Sequence, residues 1–219
     1  MKKLRIGKLG LMIISGTLLS FNAAADFSRS FEGYTLFKTN CVICHGPGGG
    51  GNGILADRLD YTPADLTNPG LATKTDHQIF QIIEGTAPHS KAGSGMPQWG
   101  LAIPQNHIES LVKYVRYLNK SKHKSAGNPI QGKKVYEENC SICHGTDGKG
   151  KGILAQVYDM SPADHTNSAN LNRMDNATLK AYIKSGGDDT LMPGWDGVLN
   201  NAQLDDVISY IRLLSANND

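Results

Sequence analysis

Two copies of one small helical domain, arranged in tandem, are what this 219-residue sequence predicts. A five-residue stretch occurs twice, as Cys41-Val42-Ile43-Cys44-His45 and, 99 positions on, as Cys140-Ser141-Ile142-Cys143-His144. Each copy then closes on a segment that is apolar at i, i+3, i+4, i+7 and i+10, one stripe of an amphipathic helix. The stripe is Ile108, Leu111, Val112, Val115 and Leu118 in the first copy and Leu204, Val207, Ile208, Ile211 and Leu214 in the second.

The first segment of the chain is expected to be a leader. Lys2, Lys3, Arg5 and Lys8 form a basic start, residues 9–19 an apolar run, and Ala23-Ala24-Ala25 a small-residue cleavage site, so residues 1–25 read as a secretory signal and Asp26 as the mature start. An uncleaved anchor is the alternative, but Ser15 and Gly16 break the run, which is shorter than the roughly 18 residues a spanning helix needs. No later segment is apolar enough to span, so no stable membrane span is expected after removal of the signal, and the expected location is the periplasm. Losing the four cations takes the formal net charge from +2 to −2, which leaves no basic footprint for nucleic acid.

Next comes the doubled motif. C-x-x-C followed at once by His is the arrangement that attaches haem c covalently. On one helical turn residues i, i+3 and i+4 share a face, so Cys41 and Cys44 can reach two vinyl groups of one porphyrin with His45 under its iron. Cys140, Cys143 and His144 repeat the set, which implies two haems. A zinc site would need a second ligand pair, and every cysteine is already inside a motif. A thioredoxin-type pair, or structural disulfides, would leave the two histidines unexplained.

The repeat runs well beyond the motif. At the same offset Phe31, Gly33, Leu36, Phe37 and Asn40 meet Ile130, Gly132, Val135, Tyr136 and Asn139, and Thr62-Pro63-Ala64-Asp65 meets Ser161-Pro162-Ala163-Asp164. The offset then falls to 96, pairing Met96-Pro97-Gln98-Trp99 with Met192-Pro193-Gly194-Trp195, so the first copy has the longer loop at residues 86–95. The segment before each motif reads as a short helix with Gly33 or Gly132 inside it. A glycine there costs about 1 kcal/mol, which predicts close approach of another helix, the closing one with Tyr114 or Tyr210. Pro104 suits the first turn of the first closing helix.

Residues 119–128 (NKSKHKSAGN) are polar, carry three lysines and read as an exposed linker between domains at 26–118 and 129–219. The formal charges of the three segments are −1, +3 and −4, so the C-terminal domain is the acidic one.

Taken together, a helix with an internal glycine, C-x-x-C-H, a glycine-rich loop, a methionine loop and a closing amphipathic helix resemble a tandem of two class I cytochrome c domains, over nearly all of residues 27–215. The resemblance implies an all-α fold, each domain wrapped around one covalently bound haem with one haem edge exposed. It implies His45 and His144 as proximal ligands. A thioether in the sixth position raises the potential. Met96 is the only methionine of the mature first domain, and of Met160, Met174 and Met192 only Met192 shares its M-P-x-W setting, so Met96 and Met192 are the expected partners. Trp99 and Trp195 read as packing against the haem. Pro63 and Pro162 resemble the family's proline whose carbonyl accepts from the proximal histidine, with an ordinary turn as the alternative. Of the other histidines, His77, His107, His123 and His165 do not recur and read as surface or satisfied core residues; His89, seven residues before Met96, is an alternative ligand.

The resemblance implies single-electron transfer between redox partner proteins of a respiratory chain, by a soluble periplasmic carrier or by the relay subunit of a larger dehydrogenase or reductase. A di-haem enzyme is the third reading; it needs an exchangeable sixth ligand, and no cysteine is left for that position. Likeness to the cytochrome c4 type is partial: size and tandem plan agree, but the P-x-L-x-G-Q loop is absent, with T-P-A-D-L-T and S-P-A-D-H-T in its place.

Overall fold

The computed structural model describes residues 22–87, 95–123, 125–187 and 190–216, with side chains from Arg29 onward in the first helix. Among them there is no strand. The elements that position the site are α1 (Asn22–Asn40), α2 (Val42–His45), α3 (Asp76–Glu84) and α4 (Gln105–Lys120), followed in the second copy by α5 (Pro129–Asn139), α6 (Ser141–His144), α7 (Ile153–Val157), α8 (Ser168–Leu171), α9 (Asn176–Ser185) and α10 (Asn201–Ser215). Ala23-Ala24-Ala25 falls in the first turn of α1, and residues 1–21 of the expected signal lie outside the described residues. No helix among the described residues is long and apolar enough to cross a membrane.

In each copy the helix before the motif crosses the closing helix, α1 on α4 and α5 on α10, and the glycine is what lets them meet. A Cβ on Gly33 would lie 2.0 Å from the Ser110 carbonyl oxygen and 2.9 Å from Tyr114 Cβ. On Gly132 it would lie 1.9 Å from the Asp206 carbonyl oxygen and 3.0 Å from Tyr210 Cβ. The helix-propensity cost of glycine is therefore set against a backbone-to-backbone contact that no side chain permits. Pro104 stands one position earlier than expected, as the residue preceding α4, where its carbonyl accepts from the His107 and Ile108 amides.

An arginine ties each closing helix to the residues at and ahead of the start of α3 or α9. Arg116 donates to Asp76 at 2.7 Å, to the Leu71 carbonyl at 3.2 Å and to the Lys74 carbonyl. Arg212 donates to Asn176 at 3.1 Å, to the Leu171 carbonyl at 2.6 Å and to the Met174 carbonyl at 2.5 Å. The arginines supply a donor to the Lys74 and Met174 carbonyls, and a second donor to the Leu71 and Leu171 carbonyls, which already accept from the Lys74 and Met174 amides.

The two stripes of equal period are not equally buried. Whereas α4 keeps one polar side, α10 is buried at every position from Val207 to Ser215. The reason is a second contact: Leu213 packs in the core of the N-terminal domain, and Phe31 of α1 sets its edge on Tyr210, with ring centroids 6.4 Å apart. α10 lies at the seam between the domains, with Ser209, Arg212 and Ser215 buried beside its apolar residues.

Described residues of the expected linker, 119–128, bond to both domains. Asn119 and Lys120 finish α4, and Asn119 donates to the Leu66 and Asn68 carbonyls. The rest is strapped to the C-terminal domain: the Gly127 amide donates to Ser209 Oγ, the Asn128 amide to Asp206, and His123 Nε2 to the Asn172 carbonyl. Gly127 sits so close to α10 that a Cβ would come within 2.4 Å of the Asp205 carbonyl carbon.

Candidate functional site

Each motif forms one helical turn that the following loop caps. The His45 and Cys44 amides donate to the Cys41 carbonyl at 2.9 and 3.1 Å, which puts residues 41, 44 and 45 on one face. Gly46, at φ 74°, ends the turn in a conformation glycine tolerates. The loop then folds back: the Gly51 amide donates to the His45 carbonyl and the Gly53 amide to the Cys44 carbonyl. In the second copy Gly145, Gly150 and Gly152 do the same for Cys143 and His144.

His45 Nδ1 lies 2.9 Å from the Ala64 carbonyl and His144 Nδ1 3.1 Å from that of Ala163. A carbonyl only accepts, so Nδ1 carries the proton and Nε2 keeps its lone pair for a metal. This corrects the expectation for Pro63 and Pro162. The segment runs without helix, so successive carbonyls face different ways: the proline carbonyls close on the glycine loop, 2.4 Å and 2.3 Å from where a Cβ on Gly51 and Gly150 would stand. The next carbonyl turns to the histidine.

All four cysteines are half-buried and none is paired in a disulfide. Before haem is attached, burial, helped by the second cysteine of each pair, pushes the Cys41 thiol up to about 11 and that of Cys140 up to about 12. Among the described residues no three His, Cys, Asp or Glu side chains converge to hold a metal ion.

Met96 and Trp99 are partly buried against the N-terminal core, and Met192 and Trp195 against the C-terminal one, where Met174 is also packed. The two methionine loops are anchored differently. In the first, the Tyr61 hydroxyl donates to the Gly95 carbonyl at 2.6 Å. In the second, the Gly187 amide donates to the Met192 carbonyl at 3.2 Å. Tyr61 shows no repeat signal, since Met160 occupies the matching position. His89 lies outside the described residues.

His165 departs from the sequence reading. Its ring stacks on His144, with centroids 4.2 Å apart and planes 16° from parallel, and its Nδ1 is 3.1 Å from the Tyr136 hydroxyl. Burial, with His144 alongside, pulls it down to about 3, so it is neutral; burial also lowers His144, against the pull of its bond to Ala163. Burial raises Tyr136, whose phenol therefore keeps its proton and shares a hydrogen bond with His165.

The donor set fits haem c in both copies: two thiols and an imidazole nitrogen share one turn, and a half-buried thioether stands at the edge of each core. Comparison with known proteins agrees. The family described as cytochrome c oxidase, cbb3-type, subunit III matches twice, at residues 31–115 and 127–211. A cbb3-type cytochrome c oxidase subunit CcoP of Cereibacter sphaeroides is 28% identical over 82% of this chain and 59% of its own length. The CcoP of an Azospirillum species is 32% identical over 83% of this chain and 61% of its own, and the FixP subunit of Bradyrhizobium diazoefficiens 29% identical over 84% and 60%. The chain thus spans about three fifths of the length of these relatives. Among solved structures, a chain of the Kuenenia stuttgartiensis reducing HAO-like protein complex aligns over 84% of this chain and 95% of its own at 23% identity, with a TM-score of only 0.35. The chain belongs to the cbb3-type subunit III family of cytochrome c oxidase, as an all-α tandem of two class I cytochrome c domains, each with one covalently attached haem c.

Proposed function

We propose that this chain relays single electrons between redox partner proteins on the periplasmic side of a respiratory chain. Cys41, Cys44, Cys140 and Cys143 hold the two haems by thioether bonds, with His45 and Met96 on one iron and His144 and Met192 on the other. Bound haem would supply a one-electron couple, and with His45 and Met96 holding one iron and His144 and Met192 the other, transfer would need no bond to substrate. The observation that carries this reading is the duplicated turn, in which each histidine gives Nδ1 to a backbone carbonyl and keeps Nε2 free.

Similarity to CcoP and FixP favours a second form of the same reading, a relay subunit bound to a cbb3-type cytochrome c oxidase rather than a free carrier. The test is the purified full chain. Two covalently held haems, both low-spin and unresponsive to carbon monoxide, are expected, with Met96→Ala and Met192→Ala each turning one haem high-spin and gas-binding. A parent protein with a gas-binding haem overturns the relay in favour of an enzyme. Recovery from solubilised membranes in complex with an oxidase selects the subunit, and recovery alone from the periplasmic fraction the carrier.

A further inference from the structure

At the offset of the repeat, two positions differ together: Phe37 and Leu66 in the first copy become Tyr136 and His165 in the second. The backbone around them is the same. The Leu66 amide donates to the Gly49 carbonyl at 2.7 Å, and the His165 amide to the Gly148 carbonyl at 2.7 Å. What changes is the environment of the proximal imidazole. His45 has its edge tied to Ala64, and the ring recorded beside it, Phe37, is tilted 41° at 6.5 Å. His144 has its edge tied to Ala163 and one face covered by His165, itself fixed by the hydroxyl of the fully buried Tyr136. In the first copy an aliphatic side chain, Leu66, packed in the N-terminal core, stands where the second has a stacked ring held by a hydroxyl.

We propose that Tyr136 and His165 are positioning residues that lock the plane of the His144 imidazole through a stacked, hydrogen-bonded ring, a device that the first copy, with Phe37 and Leu66 at those positions, does not use. This rests on His144 being the iron ligand. The direction in which an axial imidazole plane points sets the splitting of the iron d orbitals that overlap its π system. Groups behind a metal ligand tune the metal in this way.

The test uses the full-length protein with both haems, read by electron paramagnetic resonance of the oxidised form and by redox titration. His165→Leu is expected to shift and broaden the g values of the second haem and to move its midpoint, leaving the first haem unchanged. His165→Phe, which keeps a ring to stack, is expected to restore most of the parent signal, with Tyr136→Phe falling between. A His165→Leu protein holding two low-spin haems with parental g values and midpoints overturns the proposal. Should that variant fail to load its second haem, the reciprocal graft F37Y/L66H decides: a sharpened and shifted first-haem signal supports the lock, an unchanged one overturns it. His144→Ala keeps the question separate, because a second haem that stays low-spin in it refutes the ligand assignment whatever His165 does.

Discussion

The N-terminal domain closes its arginine on a carboxylate, Asp76, and keeps one side of α4 polar; the C-terminal domain closes the matching arginine on an amide, Asn176, and buries α10 on every side. Yet the glycine crossing, the capped motif turn and the histidine-to-carbonyl bond superimpose in kind, residue for residue. What both copies keep is backbone touching backbone, where no substitution fits. What diverged are side chains that meet another side chain or the other domain. The comparison can be broken first at the part held in common. Gly33→Ala and Gly132→Ala would each gain about 1 kcal/mol of helix propensity and force a Cβ to within about 2 Å of a carbonyl oxygen that cannot move aside. Overpacking of that kind is expected to cost more than about 3 kcal/mol in the affected domain. Denaturant titration checks it, and a more stable variant would show that propensity outweighs the crossing.

The next effect concerns the seam. Leu213 is 1% exposed and belongs to the α10 sequence but to the N-terminal core. Leu213→Ala is expected to cost about 3 kcal/mol, to lower the unfolding transition of the N-terminal domain although the change lies in the other one, and to split a shared transition into two. Calorimetry reads this directly, and an N-terminal transition left where it was would mean the domains fold independently.

The arginines come third. Arg212 is 1% exposed, whereas the Arg116 side chain is 16% exposed and its partner Asp76 about half exposed. Arg212→Met takes the donor from the Met174 carbonyl, leaves the Leu171 carbonyl with the Met174 amide alone, and is expected to cost about 2 kcal/mol, against about 1 for Arg116→Met. Asn176→Asp would give Arg212 the counter-charge its counterpart has and is expected to stabilise the C-terminal domain. Loss of stability in that variant would show that burial has tuned the site against a second charge.

Much of this was legible from residue types and spacing. The glycines announced the helix crossing, and the doubled Cys-x-x-Cys-His announced the turn. The M-P-x-W pair brought Met96 and Met192 to equivalent half-buried places. Three things were not legible. Which carbonyl faces the imidazole depends on chain direction at a single peptide, so Ala64 and Ala163 took the place expected for Pro63 and Pro162. The all-round burial of α10 depends on the other domain, while its stripe has the same period as that of α4. His165 was passed over because it does not recur, although the paired change at positions 37/136 and 66/165 was present in the repeat. A repeat shows the frame through what it keeps, and local function through what changes together.

The smallest contrast lies at the start of α3 and α9. Thr75 caps α3 with its hydroxyl, accepting from the Gln78 amide in a reciprocal capping box, whereas Asp175 caps α9 with a carboxylate that accepts from the Thr178 amide. Both satisfy an amide the helix itself leaves unpaired, but only one titrates. The bond from the Thr178 amide holds Asp175 below its ordinary 3.8. Protonation is therefore harder in the folded chain than in the unfolded one, and stability rises with pH wherever the unfolded chain binds more protons. The Asp175 contribution is complete above 3.8 and fades as pH falls through the lower folded value; the Thr75 cap is indifferent to pH over the same range. Asp175→Asn keeps a capping oxygen without the charge. Melting of parent and variant is expected to diverge above pH 4 in favour of the parent and to converge toward pH 2, while Thr75→Ala lowers stability by the same amount throughout. Parallel melting curves for Asp175→Asn and the parent across that range would mean that the carboxylate caps α9 as a neutral acceptor does, and that the two domains differ there in composition only.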